Sequence, residues 1–205
     1  MAYTYPLTFP SIGIKSVNIR AQTVVGASVS PFTGQQQVYK HQGQWWEMEV
    51  TMPAMKRDEA EQVASFLLKM NGKYGTFLLG DKANTAPRGV GTGTPLVRGG
   101  SQTGDQLITD GWTTSTTGIL KAGDWIQIGL GSASRLHKVL DDVNSDASGI
   151  ATLNIFPNLR YSPADNLAIT VNSPKGQWRL AANETNFSID EASVYGITFA
   201  CVEAL

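Results

Sequence analysis

The most regular pattern in the chain is an alternation of apolar and polar side chains over residues 44–53. A period of two is typical of a β-strand with one buried face. The inward positions are Trp46, Met48, Val50 and Met52. The pleat directs Trp45 to the opposite face. Residues 12–22 alternate less regularly and predict an earlier strand, with a loop tip between the two at residues 31–34.

The spacing of apolar residues changes to that of a helix after these strands. Five apolar residues recur on one helical face: Ala60, Val63, Ala64, Leu67 and Leu68. Asp58 and Glu59 suit the positive end of the helix dipole, and Asn71-Gly72 match a left-handed C-terminal cap. A short apolar strand, residues 74–79, follows. This segment therefore predicts a β-sandwich with one packed α-helix.

The composition changes after residue 80. Residues 81–94 are rich in Asn, Thr, Pro and Gly and are interpreted as a loop or linker. Short strands separated by turn signals then predict a small, nearly closed barrel. They are residues 107–108, 125–128, 136–140 and 151–156. Trp112 and Trp125 are expected in the core of this module.

The end of the chain is interpreted as a return to the first module. Its expected strands are residues 168–171, 177–181, 186–189 and 195–203. We therefore predict a mainly β protein with a discontinuous first domain, residues 1–80 and 164–205, made of the β-sandwich and its helix. A small β module, residues 88–160, is inserted into it.

Composition and charge exclude several functional classes. Only 16% of residues are charged, against about 25% in typical soluble domains. The net charge is -1, and no run of Lys or Arg predicts binding to nucleic acid or insertion at a membrane. The N-terminus lacks a basic stretch followed by an apolar one, so we expect no signal peptide.

Residues with catalytic or metal-binding chemistry are few and scattered. His41 and His137 are the only histidines, and both fall in predicted strands away from any nucleophile pattern. Cys201, the single cysteine, lies in an apolar run and is interpreted as a buried structural thiol. We expect no catalytic residue, no metal, no cofactor and no enzyme activity. A hydrolase with carboxylates from distant segments is the least favoured alternative.

Two loops resemble ligand-binding motifs only superficially. The Gly89–Thr94 segment lacks the following helix of a phosphate-binding loop, so a flexible linker is the better interpretation. Residues 142–146 begin like a calcium loop, but Ala147 and Leu153 stand where Gly and Glu are needed. We interpret this segment as a hairpin turn between two strands.

Three stretches together suggest a family. They are residues 44–53 before the helix, residues 72–81 after it, and a late segment from residues 123–129 through Leu159-Arg160. Their order resembles the distal tail proteins and related minor tail proteins of long-tailed bacteriophages. That resemblance implies a β-sandwich with a helix on one side, a hexameric ring between tail tube and hub, and a virion location after synthesis in the host cytoplasm. Some members carry an inserted OB-like barrel, which matches the second module.

The resemblance transfers no catalytic residue to this chain, but it suggests that some surface residues form subunit contacts. An outward Trp45 marks either a subunit interface or a site covered within the chain. The polar loop at residues 29–37 is centred on Pro31 and Phe32, and we hypothesise that it reaches a neighbouring subunit. The alternatives are a carbohydrate-binding β-sandwich module and another tail protein, such as a tube or tail-completion protein.

Overall fold

The computed structural model describes residues 3–189 and 195–205. These residues form thirteen strands, one α-helix and one short 3-10 helix. The strands are β1 (Leu7–Thr8), β2 (Ser16–Val29), β3 (Gln36–Thr51), β4 (Phe77–Leu79), β5 (Gly93–Val97), β6 (Gly104–Trp112), β7 (Trp125–Ile128), β8 (Arg135–Val139), β9 (Ala151–Leu159), β10 (Ile169–Thr170), β11 (Gly176–Leu180), β12 (Phe187–Ile189) and β13 (Tyr195–Glu203). The helices are α1 (Arg57–Lys69) and the 3-10 turn Gly131–Ala133. The predicted fold class, mainly β with one packed α-helix and a barrel-like second module, is confirmed.

The first sheet has the strand order β1-β4-β11-β13-β3-β2, with β12 paired to β13. Strands β2 and β3 form its antiparallel edge hairpin, and β13 pairs with β3 only between residues 198–202 and 47–51. The predicted inward residues Trp46, Met48 and Val50 are buried. The period-two pattern therefore placed this strand correctly on the core.

Helix α1 covers part of the inner face of this sheet. Its buried residues include Ala60, Val63 and Leu67, which join Met48 and Phe199 in one hydrophobic core. Asn71 and Gly72 have positive φ angles, as the predicted left-handed cap requires. Leu68 was assigned to the buried face, but it is exposed, and Phe66 is buried instead. The helix is therefore rotated slightly from the predicted orientation.

The second sheet has the order β10-β7-β8-β9-β6-β5 and nearly closes on itself. Closure comes from a bridge between Leu96 and Ala168 and from the bond of the Val97 N–H to the Leu167 carbonyl, 2.9 Å long. The strand at residues 168–171 was predicted for the first module, but β10 pairs with β7 here. Strand β5 was not predicted, because Gly93 and Pro95 make its sequence look like a loop.

The two sheets share a buried aromatic junction. The ring of Trp46 contacts those of Trp125 and Phe156, with centroid distances of 5.0 and 4.9 Å. Its indole N–H donates a 3.0 Å hydrogen bond to the Leu136 carbonyl. Trp125 was predicted in the core of the second module, but it packs into the first core, because β7 and β8 lie against the sheet. Trp112 does lie in the second core.

The connection between the modules is held by the buried side chain of Asp124. Its carboxylate accepts hydrogen bonds from the backbone N–H groups of Arg88, Gly89 and Lys121, at 2.8 to 3.1 Å. The Gly89–Thr94 segment, predicted to be a flexible linker, is therefore bonded to the second module at its start and enters β5 at Gly93. Leaving these three backbone N–H groups without an acceptor would lower the free energy of unfolding.

Replacing Asp124 with Ala should lower the free energy of unfolding by about 2 kcal/mol, because three N–H donors lose their shared acceptor. Denaturant titration measures this change. The control is Asp105→Ala, since Asp105 is exposed. Equal stability of the two variants would show that the carboxylate does not hold the connection.

Candidate assembly surface

The β2–β3 hairpin extends beyond the rest of the first sheet as a two-stranded ribbon. Its base is the paired Thr23 and Gln44, and beyond this pair neither strand has a further partner strand in the described chain. We call residues 24–43 the arm. None of its residues is buried, and Lys40 is its only charged residue. The predicted strands, residues 12–22 and 44–53, stop at the base of the arm, so the sequence indicated its loop tip but not that two paired strands leave the core together.

One face of the arm, which we call its apolar face, carries Val25, Ala27, Val29 and Val38 together with Lys40 and Gln36. Val25 pairs with Lys40, Ala27 with Val38, and Val29 with Gln36, so these side chains share a face. The register shift between Thr23 and Val25 adds two residues to β3, an even number, so alternation makes this the side that carries Trp46 and Met48 in the sheet. Helix α1 and the second module cover that side in the body of the protein. On the arm it is open, and Val29 and Val38 are 55% and 61% exposed.

The tip of the arm is a compact turn that presents an aromatic ring. The Ser30 N–H donates to the Gln35 carbonyl at 2.8 Å, and the Gly34 N–H donates to the Ser30 carbonyl at 2.9 Å. Pro31 and Phe32 are both exposed, and Phe32 has 95% of its surface accessible. The observed turn, residues 30–35, lies within the predicted loop. Its position leaves Phe32 free to contact another molecule.

Trp45 lies at the base of the arm, on the face opposite Trp46, as the alternation predicts. It is half-buried, and its indole N–H donates to a Glu47 carboxylate oxygen at 3.2 Å. Gln22 also donates to Glu47, and these two bonds lower the pKa of that carboxyl. Trp45 is thus partly covered within the chain. Its role at an interface stays a prediction.

The base of the arm is fixed to the second module by a buried ion pair. Arg160 and Glu203 form an ion pair of 2.7 Å, in which the Glu203 side chain is 2% exposed. The Arg160 guanidinium also donates to the Gln44 carbonyl, and the Asn158 N–H donates to the Gln44 side chain at 2.9 Å. The Glu203 carboxylate also accepts the backbone N–H of Trp46. This network sets the direction in which the arm leaves the body.

A mostly apolar cavity of about 280 Å³ lies beside this network. Its walls include Ile128, Leu159, Pro163 and Leu167, and exposed Ala133 and Ala164 also line it. Arg135, His137 and Arg160 contribute the charged and titratable groups. The sequence could not reveal it, because its walls come from β7, β8, the end of β9 and the loop before β10.

His137 is buried in strand β8, and its Nδ1 lies 2.7 Å from the Pro157 carbonyl. Burial lowers the pKa of this imidazole to about 4, although the Pro157 carbonyl and Glu203 act in the opposite direction. The ring is therefore neutral at pH 7, with the Nδ1 proton donated to Pro157.

Stability should depend on pH through this residue. The unfolded state binds a proton near pH 6.5 and the folded state only near 4, so the free energy of unfolding falls as pH drops between these values, by roughly 3 kcal/mol. Denaturant titrations at pH 7, 5.5 and 4.5 should show a smaller loss for His137→Gln. The control His41→Gln changes an exposed histidine and should keep the wild-type dependence. Identical profiles for the two variants would contradict this assignment.

The other residues considered for catalysis or metal binding lie in separate parts of the structure. His41 lies on the exposed arm, whereas Cys201 is buried in β13, and burial raises the pKa of its thiol. Residues 142–146 connect the antiparallel strands β8 and β9, which confirms the hairpin interpretation. The Asp146 carboxylate caps this turn by accepting the N–H groups of Ser148 and Ile150.

Over residues 3–189 and 195–205, no group of three or more His, Cys, Asp or Glu residues is arranged to hold a metal ion. Among the helices of the same residues, none is long and apolar enough to cross a membrane. No protein-family model matches the chain, and no curated protein matches its sequence. The arm, its base and the adjacent cavity are the features on which a functional proposal rests.

Proposed function

We propose that this chain is a structural subunit of the tail of a long-tailed bacteriophage, and that it forms a ring at the distal end of the tail. The observation that carries this proposal is the arm. Its apolar face continues the inner face of the sheet beyond the core and is open to solvent. The mainly β fold with one helix and a barrel-like module suits the same assignment.

An arm of this kind is expected to gain its partner by assembly. Isolated two-stranded hairpins are only marginally stable in water, and exposed apolar strands tend to associate. Val25, Val29, Val38 and Phe32 would be covered if the arm lay along a second copy of the chain. An arm and a receiving surface at different places on the chain make a head-to-tail contact, which closes into a ring if the rotation permits.

The proposal specifies partners and location. The chain would form a homo-oligomeric ring, a hexamer by the resemblance, bound to the tail tube on one side and to the hub on the other. It would be made in the cytoplasm of the host and end in the virion. Its contribution would be mechanical, with neither catalysis nor a cofactor.

The carbohydrate-binding alternative receives less support from the side chains. Sugar-binding sandwiches use exposed aromatic residues along one face, but four of the five tryptophans here are buried and Trp45 is half-buried. The most exposed tyrosines, Tyr39, Tyr74 and Tyr161, lie in three separate segments: the arm, the turn after α1 and the segment after β9. The arm suits the tube and tail-completion alternatives as well. They differ from a distal tail protein in the symmetry of the assembly. A tube subunit would form an open filament and a distal tail protein a closed ring.

Negative-stain electron microscopy of the purified chain tests the proposal. We expect closed rings with a central opening, and sixfold class averages would match the resemblance. Filaments would favour the tube alternative instead. Dispersed monomers that are retained on bacterial polysaccharide would overturn the proposal in favour of sugar binding.

A further inference from the structure

An exposed aromatic ring and an apolar cavity of comparable size lie at different places on the chain. Phe32 is an almost fully exposed aromatic ring at the tip of the arm. The cavity beside the base of the arm is lined mainly by apolar groups. Its volume of about 280 Å³ lies just below the range of about 300–1,000 Å³ that is usual for small-molecule sites. That size suits one aromatic side chain with its adjoining backbone.

The base of the arm, and not its tip, lies beside the cavity of the same copy. Asn158 and Arg160 line the cavity, and both bond to Gln44 at the base of the arm. The tip lies about 25 Å further along the ribbon, at roughly 3.3 Å per residue from Thr23. A compact chain of 205 residues has a radius of gyration of about 17 Å, so such an arm can reach an adjacent copy.

The polar groups of the two features also match. The tip carries carbonyl oxygens at Pro31 and Phe32 that accept no hydrogen bond within the described chain. Arg135 in the cavity wall donates through Nη1 to Ser132, Ser134 and Gln177, which leaves Nε and Nη2 for an outside acceptor. A guanidinium can bond to such carbonyls and can lie against an aromatic face. The arm tip carries no charge that would oppose this contact.

We propose that Phe32 at the arm tip of one copy inserts into the cavity lined by Leu159, Pro163 and Leu167 of the next copy. This inference rests on the proposed function, because it names the receiving site for the arm in the assembly. Each copy provides one arm and one cavity, so a closed ring uses all of them. An open row of copies would leave one arm and one cavity unused at its ends.

A complementation experiment separates the two halves of the contact. Phe32→Ala removes the inserted ring, and Ala164→Trp obstructs the cavity at an exposed position; thermal melts check that both variants stay folded. We expect each variant alone to be monomeric under conditions in which the wild type assembles. An equimolar mixture should form a dimer that grows no further, because only one arm and one cavity in the pair are intact. Assembly of either variant like the wild type would overturn the inference.

Cysteine cross-linking tests the same contact with Phe32 in place. A mixture of Thr33→Cys and Ala164→Cys chains should give a disulfide-linked dimer under mild oxidation, whereas the native Cys201 is buried. The control receiver is Ser148→Cys, which is exposed in the turn before β9, at the opposite end of that strand from Leu159. Equal cross-linking of both receivers in an assembled sample overturns the inference alone. A wild type that never assembles overturns the proposed function together with it.

Discussion

Replacing the arm, residues 24–43, with a two-residue Asn-Gly turn is expected to abolish self-association and leave the body folded. Thr23 and Gln44 are directly paired, so a two-residue hairpin turn can join them. No arm residue is buried, so the free energy of unfolding of the monomer should change little. Sedimentation velocity measures the association, and circular dichroism checks the fold. Full assembly of the shortened chain would show that the arm is not the interface.

A matched pair of variants assigns the effect to the apolar face of the arm. Val25→Thr with Val38→Thr keeps the strand shape and adds hydroxyl groups to that face, whereas Ser28→Thr with Gln37→Thr changes the opposite face. Losing burial of the two valines should weaken association by about 1–2 kcal/mol per residue, or roughly tenfold each in the dissociation constant. The control pair should associate like the wild type. Equal weakening by both pairs would contradict this orientation of the arm.

Replacing Arg160 with Met should lower the free energy of unfolding by about 3–5 kcal/mol, because the buried Glu203 carboxylate loses its charged partner. The Gln44 carbonyl loses its donor in the same change, so the base of the arm should also loosen. Denaturant titration measures the first effect, and hydrogen exchange over residues 36–46 measures the second.

The control for Arg160 is Arg20→Met. Arg20 pairs with Glu49 at 3.3 Å, but both side chains are exposed, so this change should cost less than about 1 kcal/mol. A loss for Arg160→Met as small as that of the control would show that the buried pair does not hold the base of the arm.

Local patterns predicted most of the fold from the sequence, because each element had a one-sided burial signal. Residues 44–53 showed period two, and the helix showed both its spacing and its cap at Asn71-Gly72. The errors occurred where burial depends on a partner that is distant in sequence. Trp125 packs on Trp46 of the other module. Strand β10 was predicted to belong to the first module, but it pairs with β7 of the second.

The candidate site was predictable only in part, for the same reason. Phe32 and Pro31 were identified from turn chemistry at a loop centre, and the structure places them at the tip of the arm. The length of the arm was hidden, because Val25, Ala27 and Val29 alternate with Gly26 and Ser28 as they would in a covered strand. The ion pair of Arg160 and Glu203 joins residues far apart in the chain, so no local pattern could indicate it.

We propose that this chain assembles as a structural subunit, and the mass of the purified protein in solution is the first quantity to measure. Light scattering behind a sizing column, repeated over a wide range of concentrations, gives that mass. We expect a discrete oligomer, close to six times the chain mass of 22.0 kDa if the ring is a hexamer. A constant mass of one chain at every concentration would contradict it.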